Sequence, residues 1–447
     1  MRDTIFALAT APGRAAVAIL RISGPGAGVA LRELAGPPPM ARHATVRRLH
    51  DAGGRPIDEA LILWLPGPSS YTGEDMVELQ THGGVAVVSA VTRALEAAGL
   101  RLASPGEFTR RAFEAGRLDL DQAEGVADLV DAETDAQARQ ALAQLGGALG
   151  RRYETWRKTL THALAYVEAA VDFPDEEVPA DVAARALPRV RSLQEDFRAA
   201  LADSRRGERV RDGYRIALIG APNAGKSALF NALLGRDAAI VTPTAGTTRD
   251  VIEAALVLDG YKVVLADMAG LRTVDEAIEA EGVRRARAWA EDAAMRIWVI
   301  DGAACSGAWR EAATLVHVGD VIVFNKADLP VGDDRAATRA RSGETLEAFD
   351  IAATDGQGVE RLRAALAARV VEDLSGADFP AVTRLRHEAL LREALTRLEH
   401  VDTAALEAPE LAAEDLRLAA RALERITGRI GAEDVLEVVF STFCIGK

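Results

Sequence analysis

Residues 220–227 read Gly-Ala-Pro-Asn-Ala-Gly-Lys-Ser, between the strand-like run Ile216 to Ile219 and the helix-like run Ala228 to Leu234, which Gly235 closes. Strand, glycine-rich loop and helix in that order make a phosphate loop, whose N–H groups and helix N-terminus surround phosphate oxygens. Lys226 then reaches the β- and γ-phosphates and Ser227 ligates Mg2+, with Asn223, Ala224, Gly225 and Ala228 completing the loop. Downstream, Asp267-Met268-Ala269-Gly270 closes the apolar run Val263 to Ala266. Its carboxylate can touch the Mg2+ shell, and the Gly270 N–H can sense the γ-phosphate. Asn325-Lys326-Ala327-Asp328 follows a second apolar run, Val321 to Phe324. An aspartate there accepts two hydrogen bonds from the N1–H and exocyclic amine of guanine, a donor pair that adenine lacks, so GTP is selected over ATP. Ile351-Ala352-Ala353-Thr354 supplies the last base-contacting loop, with Ala352 where a serine is more usual. The motifs, in this order, predict GTP hydrolysis.

Between the phosphate loop and Asp267 lies Gly246-Thr247-Thr248-Arg249-Asp250, where a first switch belongs, and the Thr248 hydroxyl is placed to complete the Mg2+ shell. The residue after Gly270 is Leu271, not the glutamine that orients the attacking water in Ras-like enzymes. Hydrolysis must recruit another group. Arg249, Arg272, Glu276, Glu279 and Glu281 are the candidates nearby, and most of them read as solvated switch charges.

The elements that must position these residues follow from length and pattern. At about 150 residues per domain, 447 residues imply a multidomain chain, and a hydrophobic fraction of 49% with 27% charged residues is globular rather than disordered. Residues 1–117 alternate short β-rich runs (Val17 to Ile22, Leu61 to Leu65, Met76 to Leu79) with turn clusters, predicting an α+β domain. Residues 118–211 turn to helical spacing, with Leu142, Leu145 and Leu149, then Trp156, Leu160, Leu164 and Val167. Residues 212–373 repeat strand, turn and helix, the pattern of an α/β domain with a mainly parallel sheet, and 374–447 return to helical spacing. The fold class is therefore multidomain α/β, with the α/β domain inserted into a helical one. The acidic run Asp172 to Glu177 reads as a solvated loop and helix cap rather than a metal site.

Fifty-three basic against 67 acidic residues give a formal charge of −14, which repels phosphate backbones, so a nucleic-acid partner requires a local basic surface. Arg205, Arg206, Arg209, Arg211 and Arg215, or Arg384 and Arg386, are candidates for one, although such runs are more often solvated helix faces. Two cysteines, Cys305 and Cys444, support neither a disulfide framework nor a zinc site, and a reducing cytoplasm is expected. Neither a membrane span nor a signal peptide is evident.

Together, the GTTRD segment, a GTPase domain set inside helices, and the terminal Phe443-Cys444-Ile445-Gly446-Lys447 resemble the tRNA uridine-modifying GTPase family MnmE (TrmE). The resemblance extends through Pro12-Gly-Arg14, Leu20 to Gly24, Tyr71 to Asp75, Glu78 to Gln80, Leu118 to Leu120 and Gln122 to Glu124. It implies a Ras-like GTPase domain and a folate-binding, dimerising N-terminal domain. It also implies a homodimer that acts with a flavin-dependent partner of the MnmG type, which carries FAD, on C5 of the wobble uridine of certain tRNAs. By motif, 5-formyl-tetrahydrofolate contacts fall on Arg21, Glu78, Arg117 and Lys447, with Arg117 standing where the family commonly has lysine. The GTP-contacting switch covers Thr242, Pro243, Thr244, Ala245, Gly246, Thr247 and Thr248.

The same resemblance implies that K+ replaces an arginine finger, held by Asn223, Thr242, Thr244 and Thr247, and that Glu279 positions the attacking water. Met268 departs from the usual threonine. Cys444 is placed near folate and target uridine as a candidate catalytic thiol, or else is an inert exposed residue. A ribosome-assembly switch of the Era-like kind is the alternative function, and a folate-dependent one-carbon transferase a third. No RNA-binding module of the Era kind is legible, and the transferase leaves the GTPase motifs unexplained.

Overall fold

The computed structural model describes residues 3–172, 182–235, 252–268, 277–342, 346–376, 379–428, 439–440, 443 and 446. The chain divides into two compact units: Met1–Ala127 with Ala143–Phe197 and Ala389–Lys447, and Asp128–Leu142 with Arg198–Glu388. Among the described residues no helix is long and apolar enough to cross a membrane.

The first unit opens with β1 (Ile5–Leu8), β2 (Val17–Ser23), α1 (Ala27–Ala35), β3 (Thr45–His50), β4 (Pro56–Leu65), β5 (Met76–His82), α2 (Val85–Ala97), β6 (Arg101–Leu102) and α3 (Glu107–Glu114). The six strands form one sheet in the order β3-β4-β5-β2-β1-β6, antiparallel but for the β1–β6 pair. Alternation sets the two faces. Phe6, Leu20, Ile22, Val77 and Leu79 pack under α1 and α2 with Leu31, Leu34, Val91 and Leu95. Their neighbours Ile5, Ala7 and Met76 pack on the other face with Phe108. Arg21 and Glu78 therefore share that second face, opposite one another in the β2–β5 register.

Helices follow as α4 (Leu120–Asp131), α5 (Asp135–Leu145), α6 (Ala148–Asp172) and α7 (Leu187–Ala202). In α6, Leu149, Tyr153, Trp156, Leu160, Ala163 and Val167 recur every three or four residues and are buried.

The second unit continues with α8 (Ser204–Asp212), β7 (Tyr214–Ile219), α9 (Lys226–Leu234), β8 (Ile252–Leu258), β9 (Tyr261–Asp267), α10 (Ala277–Asp292), β10 (Met295–Asp301), β11 (Val321–Asn325), α11 (Asp333–Ser342), β12 (Glu347–Asp350) and α12 (Val359–Leu374). Its sheet runs β12-β11-β10-β7-β9-β8, and every pair is parallel except β8–β9. Both faces are covered, so the strands read as continuous apolar runs. Ile216, Leu218, Ile297, Val299 and Val323 fill one side, and Ala217, Ile219, Trp298, Ile300 and Phe324 fill the other.

The last helices are α13 (Leu385–Glu407) and α14 (Pro409–Ile426). α14 begins with proline, whose missing N–H costs nothing in the first turn, and lays Ala412, Ala413, Leu416, Ala419, Leu423 and Ile426 inward; it packs along α6. The chain thus returns after the nucleotide-type sheet to the helical unit it had left. The α/β class with a mainly parallel sheet and flanking helices is the architecture expected from the sequence.

Candidate functional site

The phosphate loop leaves the C-terminal end of β7, a central strand, as a ligand site of an open α/β sheet should. Three residues take left-handed or related backbone angles here: Gly220 (φ 150°), Asn223 (φ 61°) and Gly225 (φ 92°). Glycine is required at two of them for space as well as for φ. A Cβ at Gly220 would collide with the Val299 carbonyl, and one at Gly225 with the Asn325 side chain. Gly225 is the N-cap of α9, so the first N–H groups of that helix face the loop.

Lys226 lies almost wholly inside the loop and donates from Nζ to the carbonyls of Gly220 (3.0 Å) and Ala221 (3.1 Å). Burial pushes its ammonium below the ordinary lysine range, against the opposing pull of Asp267. Ser227 Oγ donates to Asp267 Oδ2. The other carboxylate oxygen, Asp267 Oδ1, is buried and has no hydrogen-bond partner among the described residues. A hydroxyl and an unpartnered buried carboxylate at one point are hard oxygen donors of the kind Mg2+ takes, and the pair fits that ion. Met268, also buried, donates its N–H to the Leu218 carbonyl (3.3 Å) and so ties the DMAG segment to β7.

Asn325 joins three loops. Its Nδ2 donates to the Ala224 carbonyl in the phosphate loop (3.0 Å), and its Oδ1 accepts the Ala353 N–H (3.1 Å). Lys326 stands at φ 60°, and its Nζ pairs with Asp301 Oδ2 at 2.6 Å. The Ala327 N–H donates to the Ile351 carbonyl (2.9 Å), and the Ala352 N–H to that of Gln357 (3.0 Å). Asp328 is exposed at the end of this assembly, with its carboxylate available to an incoming base. Asp301 was not singled out from the sequence as a site residue. Its signal was its position, the first acid after the buried β10 run.

The structure brings together Asn223, Ala224, Gly225, Lys226, Ser227, Ala228, Asp267, Met268, Asn325, Lys326, Ala327, Asp328, Ala352 and Ala353 around the ends of β7, β9 and β11. Thr242, Pro243, Thr244, Ala245, Gly246, Thr247, Thr248, Ala269 and Gly270 lie outside the described residues, as do Cys444 and Lys447. Glu279 belongs to the first turn of α10, and only its backbone is described.

In the first unit, Arg21 Nε donates to Glu78 Oε1 at 2.8 Å, both half-buried on the sheet face away from α1 and α2. Tyr71 sits beside them. Burial raises its phenol, while a hydrogen bond with Thr109 (2.8 Å) and the charge of Arg21 oppose that shift. The loop carrying Tyr71 is pinned from behind by Arg111, buried, which donates to Glu74 (3.0 Å) and Glu107 (2.9 Å). Arg117 is exposed and borders the same loop at Gly73. A guanidinium, a carboxylate and a phenol thus put hydrogen-bond donors and acceptors side by side on one face. Gly446 (φ 102°) lies against Leu8 and Ala9, at the end of the strand next to Arg21, where a Cβ would collide with the Leu8 carbonyl. Tyr71, Thr109 and Arg111 were missed as site-forming residues, since nothing in spacing marks a loop residue or a buried helix arginine.

Residues 4–117 match the family profile described as the GTP-binding protein TrmE N-terminus, and residues 120–444 match that of the MnmE helical domain. Proteins named tRNA modification GTPase MnmE from Phenylobacterium zucineum and Caulobacter vibrioides are each 59% identical, over all of this chain and all of their own. One from Granulibacter bethesdensis is 45% identical, again over both full lengths. With matches spanning the N-terminal sheet, the phosphate loop and the helices alike, the chain belongs to the MnmE family of tRNA modification GTPases.

Proposed function

We propose that this GTPase acts as a homodimer in the cytoplasm and, with an MnmG-type flavoprotein that carries FAD, installs a (carboxymethyl)aminomethyl group on C5 of the wobble uridine of certain tRNAs. The single observation that carries the GTP half is the convergence of Lys226, Ser227, Asp267 and Asn325 on one phosphate loop. Lys226 gives up its two carbonyl partners to take the β- and γ-phosphate oxygens. Asn325 holds the phosphate loop and the Ala352–Ala353 loop in register, so that base and phosphates are gripped as one object. Asp328 accepts the two guanine donors. The Gly270 N–H senses the γ-phosphate.

Ser227 and Thr248 are the proposed holders of Mg2+, and Asn223, Thr242, Thr244 and Thr247 those of K+; when bound, both ions offset charge on the transferred phosphoryl group. Glu279 orients the water that Leu271 cannot. The modification half is placed at Arg21, Glu78, Arg117 and Lys447, which hold 5-formyl-tetrahydrofolate; when bound, that cofactor supplies a one-carbon unit. Cys444 belongs to the same tail and is proposed as a thiol at that site.

The test is nucleotide affinity by fluorescence. GTP should bind and ATP should not, and Asp328→Asn should move the preference from guanine to xanthine nucleotides. Equal affinity of the unaltered protein for ATP and GTP removes the assignment.

A further inference from the structure

The β8–β9 hairpin joins the two GTP-contacting motifs. β8 begins at Ile252, just after the GTTRD segment, and β9 ends at Asp267, the first residue of DMAG. At the opposite end the strands meet in a two-residue turn, with Leu258 paired to Tyr261 and both Asp259 (φ 44°) and Gly260 (φ 81°) left-handed. Such a turn matches the twist of the flanking strands and fixes their register, so a shift at one end is carried to the other rather than absorbed.

That turn is gripped by residues 133–137. The Ala136 N–H donates to the Gly260 carbonyl (3.2 Å), and Lys262 Nζ pairs with Glu133 Oε2 at 2.5 Å. Ala136 is buried in the same apolar cluster as Leu256, Leu258 and Val263. The grip is fastened on its other side as well. The Gln137 side chain accepts the N–H groups of Glu133 (3.0 Å) and Thr134 (3.1 Å) and donates to the Arg211 carbonyl (2.6 Å). Gln140 donates to the Gly207 carbonyl (3.0 Å), and Arg384 pairs with Asp128 at 2.7 Å. Residues Asp128–Leu142 thus fold with the nucleotide-type sheet although α4 and α5 begin or end outside it.

We propose that Glu133 and Lys262, with the Ala136–Gly260 hydrogen bond, are positioning contacts that couple the nucleotide state of the β8–β9 hairpin to the α4–α5 segment and through it to tRNA modification. Lys262 lies beside the Asp259–Gly260 turn, at the end of β9 away from Asp267. The link to modification rests on the function proposed above; the link between nucleotide and segment does not.

The experiment is backbone hydrogen exchange of residues 133–142 in the full-length protein, with GDP and with a non-hydrolysable GTP analogue. Exchange should differ between the two nucleotides by about tenfold. Glu133→Lys and Lys262→Glu should each abolish the difference, and the two together, restoring an ion pair of reversed sense, should recover it. GTP turnover (kcat and KM) should stay within about twofold in all three, while modification falls about tenfold in the single variants and returns in the pair. Glu133→Gln, which keeps shape and removes charge, serves if reversal disturbs folding. Equal exchange with both nucleotides in the unaltered protein overturns the proposal. So does a difference that survives in the single variants, or a loss of turnover that the reversed pair does not repair, since that marks a merely structural contact. Nucleotide-dependent exchange that obeys the charge swap in a protein that modifies no tRNA leaves the coupling standing and removes the functional reading instead.

Discussion

Replacing Asn325 by alanine removes the amide that joins the phosphate loop to the Ala352–Ala353 loop and should weaken GTP binding severely. Asn325 is 3% exposed, and its amide satisfies the Ala224 carbonyl at 3.0 Å and the Ala353 N–H at 3.1 Å. Each buried main-chain group left without its partner costs about 1–3 kcal/mol. Two of them, allowing for partial relaxation, come to about 2–4 kcal/mol, or about 30- to 1000-fold in a binding constant. The cost falls on the arrangement that GTP requires, because Ala224 lies in the phosphate loop and Ala353 in the base-contacting loop. Asn325→Asp should not rescue. Its carboxylate can still accept from Ala353, but it sets negative charge against the Ala224 carbonyl. The assay is titration with a fluorescent GDP analogue, beside thermal unfolding of the nucleotide-free protein to show that each variant is folded. Affinity within about threefold of the unaltered protein in both variants would refute the view of Asn325 as the joint between the loops.

Three further outcomes are expected. GTP hydrolysis should be faster in K+ than in Na+ at equal ionic strength, and Glu279→Ala should slow turnover while sparing nucleotide binding; identical rates in the two salts remove the potassium proposal. Because burial lowers the Lys226 pKa below its ordinary value of 10.5, the free protein loses that charge earlier as pH rises, and GTP affinity should fall on the alkaline side below that value; titration at a series of pH values checks the slope, and a flat profile contradicts it. In the first unit, burial pushes the Glu107 carboxyl up, but hydrogen bonds from Arg101, the Ser104 N–H and Arg111 outweigh it and hold the pKa low. A lowered folded pKa gives stability that is present above the ordinary carboxylate range and lost as pH falls through the folded value. Arg111→Ala should cost about 1.5–3 kcal/mol by removing charge-assisted hydrogen bonds to the half-buried carboxylates of Glu74 and Glu107 and should flatten that acid-side loss, as read from melting temperature against pH.

What could be read in the sequence divides along physical lines. The phosphate loop, DMAG, NKAD and the Ala352–Ala353 loop are local: backbone angles and side chains within eight residues do the chemistry, so their spacing alone carries the signal. Parallel strands buried on both faces, such as β10 and β11, are equally visible as unbroken apolar runs. The N-terminal sheet was only partly legible. Val17 to Ile22 and Met76 to Leu79 stand out as short β-rich runs, whereas β6 is two exposed residues held by pairing with β1. Leu142 fits the helical spacing of its neighbours but is 58% exposed, because α5 ends at Leu145 and α6 starts afresh beyond Gly146-Gly147. Long-range partners left least trace. Nothing in the types of Glu133 and Lys262, or of Arg111 and Glu74, announces that they meet, because a pair becomes visible only when the chain has folded.

Mass spectrometry of wobble uridines tests the central claim most directly. Cells that lack their own enzyme of this kind should be supplied with the chain, or with its Lys226→Ala variant, and their tRNA nucleosides compared. The C5-modified uridine is predicted to return with the unaltered chain and to be absent with the variant, whose phosphate loop has lost its ammonium. Wobble uridines that stay unmodified with the unaltered chain, or that are modified equally well with Lys226→Ala, would contradict the account.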